Sequence, residues 1–213
     1  MSVHLRPEEI EAESFRIIDA EAGTHQWPPA EWQVIRRVIH TSADFDYCRT
    51  IHMSDDAIAS GVAALKGGEG LVTDTNMALA GINKQKLALH AVTVACFIAD
   101  PQVAQKAADE GITRSIVAMR RATADGGNGI FVIGNAPTAL FELLRQVREE
   151  GVRPSLVVGF PVGFVGAAES KEELITVARA HNIPYITARG RKGGSNVAAA
   201  VINALLILAG ESR

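Results

Sequence analysis

The chain has 213 residues, 47% of them hydrophobic and 21% charged, with a formal net charge of −3 at pH 7. That size and apolar share are enough to bury roughly 70% of the unfolded surface, which points to one well-packed domain over residues 1–213. Net acidity excludes nucleic acid as the main partner, because neutralising phosphates takes a concentrated excess of Lys and Arg, so any anion site must be local.

The N-terminus, "MSVHLRPEEIEAES", is acidic and lacks an apolar signal core, so nothing in it directs the chain out of the cytoplasm. Two helical patterns come first. "PEEIEAESFRIIDAEAG", from Pro7, precedes "PPAEWQVIRRVIH", in which Pro28 and Pro29 suit a first turn and Trp32, Ile35, Val38 and Ile39 form an apolar stripe. After Gly70 the sequence changes to short apolar runs, "LVTDT", "AVTVACFIAD", "GIFVIGN", "SLVVGFP" and "PYITARG", separated by segments long enough for a helix. Such alternation predicts βαβ units and an α/β fold: a three-layer, doubly wound, mainly parallel sheet of about five strands behind N-terminal helices.

Between the runs, "TALFELLRQVREEG" puts Leu140, Leu143, Leu144 and Val147 on one helical face and closes at Gly151, and "SKEELITVARAHN" offers Ser170 and Glu173 as a capping box. "VAAAVINALLILA", from Val197, falls short of the roughly 20 residues that cross a bilayer and carries Asn203 in its middle, so it reads as a buried helix rather than a membrane span. Cys48 and Cys96 stand far apart with no CxxC or His-rich spacing, which argues against structural zinc and against a disulfide framework.

In open parallel sheets ligands bind beyond the carboxyl ends of the strands. Three stretches fall there. "GNAPTAL" brings Asn135, Pro137 in a first helical turn and Thr138, with helix N-terminal amides available to an acceptor. "GFPVGFVGAAES" brings Gly159, Gly163 and Gly166, and "ARGRKGGSN" follows the last strand. Side by side they predict a floor of bare backbone for something broad and flat, although tight strand-to-helix turns recruit Gly whatever they bind. Gly193 and Gly194 separate Lys192 from Ser195, so no Walker loop is present, and the 159, 163, 166 spacing breaks the dinucleotide fingerprint.

Gln33, Arg36, Arg37 and His40 form a polar stripe beside the apolar one of the second helix. His40 falls near the helix C-terminus, where the dipole favours imidazolium and two arginines oppose it. On spacing alone the stripe equally describes a solvated face. Asp44 and Asp46 could orient His40, cap the next segment or face water. Arg114, in "GITRS", opens a helix, and the histidines at 4, 25, 52, 90 and 181 have no comparable setting.

Together, "VIHTSADFD", "TDTNMALAGINK", "GITRS", "GNAPTALF", "GFPVGFVGAAESKEEL" and "GRKGGSNVAAA" resemble the precorrin-8X methylmutase family of cobalamin biosynthesis, from about Glu11 to Leu206. The resemblance implies an isomerase that moves a methyl group between neighbouring ring C carbons of precorrin-8X or cobalt-precorrin-8, with no cofactor, no metal site and no methyl donor. It places the catalytic histidine on His40, and substrate contacts on Ser14, Arg37 and Arg114. Asn135, Thr138, Gly163 and Gly166 complete the expected site around a macrocycle fringed with carboxylates. The family also implies a homodimer with the pocket near the subunit interface, and the wording "VIHTSADFDY" is similar to members that act after cobalt insertion. Two rival readings remain at this stage: a non-catalytic tetrapyrrole carrier, and a nucleotide-binding doubly wound domain that lacks the usual fingerprints.

Overall fold

The computed structural model describes residues 6–211. In chain order the elements are α1 Pro7–Ala22, α2 Pro29–Ser42, α3 Tyr47–Thr50, β1 Ile51–Met53, α4 Ala57–Lys66, β2 Gly70–Thr73, α5 Asn76–Gly81, α6 Lys84–Ala88 and β3 Val94–Ala95. They continue with α7 Pro101–Glu110, α8 Arg114–Ala124, β4 Asn128–Ile133, α9 Pro137–Glu149, β5 Leu156–Gly159, α10 Ala167–His181, β6 Tyr185–Ala188 and α11 Ser195–Glu211.

Alternate residues of each apolar run face opposite ways, and this sorts the helices into layers. Leu71, Ile130, Val132, Leu156, Val158 and Ile186 pack with α2, α4 and α11 on one face. Val72, Phe131, Ile133, Val157 and Tyr185 pack with α8, α9 and α10 on the other. The result is the expected three-layer α/β fold, with strand order β1-β6-β5-β4-β2-β3. All neighbours are parallel except β1 against β6.

The sheet has six strands rather than five, because the three-residue β1 adds an antiparallel edge too short to show an alternating pattern. The run from Ala91 contributes only Val94–Ala95, an edge strand whose sole partner is β2. Helix α10 begins at Ala167, three residues before the expected cap. Ser170 therefore bonds back to the Ala167 carbonyl inside the helix and Glu173 pairs with Arg148, so the capping box does not form. Among the described residues, no helix is long and apolar enough to cross a membrane, and Cys48 and Cys96 are free. Of the unassigned histidines, His25 stacks on Trp32 and His52 on Tyr185, while His4 lies outside the described residues.

Edge strand β1 is tied down by a polar relay. Arg179 Nη2 approaches His52 Nε2 at 3.2 Å, and Tyr185 Oη lies 3.0 Å from His52 Nδ1. A guanidinium only donates, so Nε2 accepts and the ring proton sits on Nδ1. Burial first, then Arg179 and Arg189, push the His52 imidazole below its ordinary value. The unfolded chain therefore takes up this proton more readily, and stability falls as pH drops below about 6.5. Denaturant melts across pH 5–7 should show that slope in the wild type and a flatter one in His52→Phe.

Lys171 of α10 is completely buried, and its ammonium donates to the Lys192 carbonyl at 2.6 Å. Burial pushes its pKa down to about 8, with Glu172 opposing. A lysine depressed in the folded state contributes stability that is regained as pH rises from about 8 towards the unfolded value near 10.4. Relative to Lys171→Met, the wild type should gain on the order of 2 kcal/mol across that window. Parallel pH profiles for the two proteins would show that the ammonium carries no such burial cost.

Candidate active site

The C-terminal half of α2 lies against α11, and the two helices leave a notch of about 200 Å³ between them. Arg37, His40 and Thr41 line it from α2, Asn196, Ala199, Ala200 and Asn203 from α11, and Gly81 from the end of α5. Both helical sets obey one rule: positions 37, 40, 41 and positions 196, 199, 200, 203 each lie on a single face. On α11 the small side chains keep the notch open. Asn203 fixes its floor, accepting from the Asn83 amide at 2.9 Å and donating to the Gly81 carbonyl at 2.9 Å.

His40 is exposed at the mouth of this notch, on the last full turn of α2, which stops at Ala43 in the left-handed conformation with its amide bonded to the Ile39 carbonyl. The imidazole packs against Phe15 of α1, ring centroids 5.1 Å apart. Arg36 and Arg37 lie over the same Phe15 ring at 4.5 and 4.9 Å. Each is paired with an acid of α1, Arg36 with Asp19 at 3.0 Å and Arg37 with Glu11 at 2.6 Å, which offsets the positive field they exert on His40.

Asp44 and Asp46 turn away from this centre in the contacts they make. Both hold Lys192, at 2.5 and 2.7 Å, and Asp46 also pairs with Arg49. Lys192, then Arg49, keeps the Asp46 carboxyl below its ordinary range. The turn after α2 is thereby fastened to the loop after β6. That loop also leans on the one after β5: the Gly194 amide donates to the Phe160 carbonyl at 2.9 Å, and a Cβ on Gly193 would collide with that same carbonyl.

The remaining expected site residues divide between two places. Ser14 stands next to Phe15 on α1, but its hydroxyl bonds to the Ile10 carbonyl of its own helix at 2.8 Å and is not part of the notch lining. Arg114, Asn135, Thr138 and Gly166 gather in the opposite layer of the sheet. There Thr113 Oγ1 donates to Thr138 Oγ1 at 3.2 Å, and Gly166 sits against Pro137 and Phe141. Arg114 is exposed at the start of α8.

Two details differ from the sequence expectation. The amides of the turn leading into α9 are taken: Asp74 accepts from Gly134, Asn135 and Ala136 at 2.9, 2.9 and 2.7 Å. Nor is the glycine stretch bare. Gly163 and Gly166 have φ of 146° and 78°, so they are required for the path of the chain, and between them Phe164 and Val165 stand 84% and 90% exposed.

Larger hollows of about 270 and 440 Å³ border α8. Their arginines, Arg120, Arg121 and Arg145, are all held by carboxylates, which leaves them little to offer a ligand. No group of three or more His, Cys, Asp or Glu among the described residues could hold a metal ion. Sequence reasoning missed Thr41, Gly81, Asn196 and Asn203. The signal was there in two asparagines seven apart on an otherwise apolar helix.

The family model of precorrin-8X methylmutase matches residues 9–208. The chain is 48% identical over 207 residues to the cobalt-precorrin-8 methylmutase of Salmonella typhimurium, covering 94% of this chain and 95% of that one. It is 45% identical over 203 residues to the cobalt-precorrin-8 methylmutase of Leptospira interrogans, covering 93% and 92%. A solved structure of precorrin-8X methyl mutase from Thermus thermophilus superposes with a TM-score of 0.86 at 39% identity, over 95% of this chain and 98% of that one. With the match running through both sides of the notch, the chain belongs to the precorrin-8X methylmutase family.

Proposed function

We propose that the chain is an isomerase of corrin-ring biosynthesis that shifts a methyl group between adjacent ring C carbons of cobalt-precorrin-8, giving cobyrinate, or of metal-free precorrin-8X, giving hydrogenobyrinate. The observation that carries this reading is the exposed His40 imidazole, braced by Phe15 at the mouth of a notch whose other wall is the small-residue face of α11. The relatives that bear the cobalt substrate in their names favour the cobalt form. Any cobalt is then part of the substrate.

In the mechanism for metal-free precorrin-8X, His40 donates a proton or a hydrogen bond to a ring nitrogen; in the cobalt form those nitrogens are bound to the metal, and the imidazole acts as a hydrogen-bond donor at the ring edge instead. This withdraws electron density from the conjugated system, so that the bond from the migrating methyl to one ring carbon breaks as the bond to its neighbour forms. The proton returns to the imidazole, and substrate and product have the same atoms. Such acid assistance typically gives 10²- to 10⁴-fold. Arg37 is held by Glu11 through one nitrogen and keeps further guanidinium donors for a peripheral carboxylate.

At about 200 Å³ the notch is smaller than a typical ligand pocket of roughly 300–1,000 Å³. It takes one edge of a tetrapyrrole. The rest of the ring lies over neighbouring surface, and a homodimer that places a second copy beside the notch would complete the enclosure. Ser14, Arg114, Asn135, Thr138, Gly163 and Gly166 are proposed as peripheral contacts through side chains and local shape, and the cytoplasm as the compartment.

The test is incubation with cobalt-precorrin-8 and with precorrin-8X under anaerobic conditions, followed by visible absorption, because methyl migration alters the chromophore. His40→Ala should bind product nearly as well as the wild type while kcat falls by about 10²- to 10⁴-fold. Full turnover by that variant would remove the mechanism, and binding without any conversion by the wild type would make the protein a carrier.

A further inference from the structure

Charge pairing singles out two guanidinium groups. Among the described residues, every arginine other than Arg114 and Arg191 has a carboxylate, an imidazole or a backbone carbonyl as partner. Arg191 instead lies over the face of Phe164, 5.6 Å from the ring centroid. Phe164 and its neighbour Val165 are the most exposed large apolar side chains of the described chain, at 84% and 90%. An unpaired cation stacked on a bare aromatic ring is an arrangement that awaits an anionic, partly apolar ligand.

The patch is built rather than loose. The Gly163 amide donates to the Arg191 carbonyl at 3.3 Å, so the main chains beneath the two side chains are joined. One residue on, the Lys192 carbonyl is staked from below by the buried Lys171 ammonium, and the Lys192 side chain is fastened to Asp44 and Asp46 just beyond α2. Asn196 of the His40 notch follows Arg191 by five residues, a span of at most about 18 Å. The loop that carries the patch therefore runs directly into the helix that walls the notch.

We propose that Arg191 and Phe164 form a second substrate-binding element, in which the guanidinium takes a peripheral carboxylate of the corrinoid and the Phe164 and Val165 side chains cover apolar ring edge beside it. The planar fork of arginine matches a carboxylate, and stacking on Phe164 holds that fork in place before the ligand arrives. This inference rests on the proposed function, since it needs a broad ring that carries acid side chains.

The test measures product affinity by absorbance titration, steady-state turnover and sedimentation mass for the wild type, Arg191→Ala, Arg191→Lys and Phe164→Ala. Arg191→Ala should weaken product binding and raise KM by about tenfold, with the loss falling on KM rather than kcat. Arg191→Lys should recover part of it, and the mass should not change. Unaltered affinity in both alanine variants overturns the inference while leaving a turning-over wild type, and so the functional reading, intact. A fall in mass with affinity unchanged also overturns it, by making the patch a contact between copies. A wild type that neither binds nor converts the corrinoid removes the functional reading and this inference with it.

Discussion

Asp74 sits at the carboxyl end of strand β2, 3% exposed, and its two oxygens collect three successive amides from the turn after β4. Burial pushes this carboxyl above its ordinary range and the amides pull against it. A charge so placed is tolerable only because donors surround it. The consequence reaches beyond one residue, because the amides of the turn leading into α9, at the carboxyl edge of the sheet, are already spent within the protein. The notch between α2 and α11 is the other place where polar side chains converge. The wall of that alternative site is set just as closely. Gly134, in the same turn, lies so near α11 that a Cβ on it would come within 2.6 Å of Ser195 Cα, and the Ser195 and Thr75 hydroxyls meet at 2.7 Å.

Helix α11 carries the second constraint. It is buried along nearly its whole length between the sheet, α2, α4 and α5. A helix apolar on every side would close the gap to α2. Ala199 and Ala200 remove bulk, while Asn203 spends both ends of its amide on the α5–α6 turn. The polar group in the apolar run is thus satisfied within the fold, and its work is to hold a wall at a distance from His40.

Much of this was legible in sequence. The short apolar runs around Phe131, Val157 and Ile186, set between helical segments, mark the strands of a parallel sheet without any structure, and the stripe from Trp32 to Ile39 gives α2 a buried face. The resemblance reached His40 and Arg37, which the structure brings into one notch. Spacing could not tell whether the amides leading into α9 were free, because Asp74 lies 60 residues before Gly134 and reaches it only through the sheet. Nor could it tell that glycines at 163 and 166 serve backbone conformation while the two residues between them stand out into solvent. Counting small residues measures the local chain, and the shape of a surface depends on where the neighbouring side chains go.

An acidic chain that takes a polyacidic substrate would be a paradox if net charge decided binding. Charges more than about 8–10 Å apart are largely screened from one another in physiological salt, so a carboxylate responds to what stands within that distance. Most arginines here are spent on acids of the same protein, such as Arg36 on Asp19 and Arg145 on Glu142. Among the described residues, the arginines that remain unspent lie on the carboxyl side of the sheet, at the start of α8 and in the loop after β6. The arrangement needs only a few free cations, provided that the many acidic groups are neutralised by partners of their own, and that is how the ion pairs of this fold are distributed.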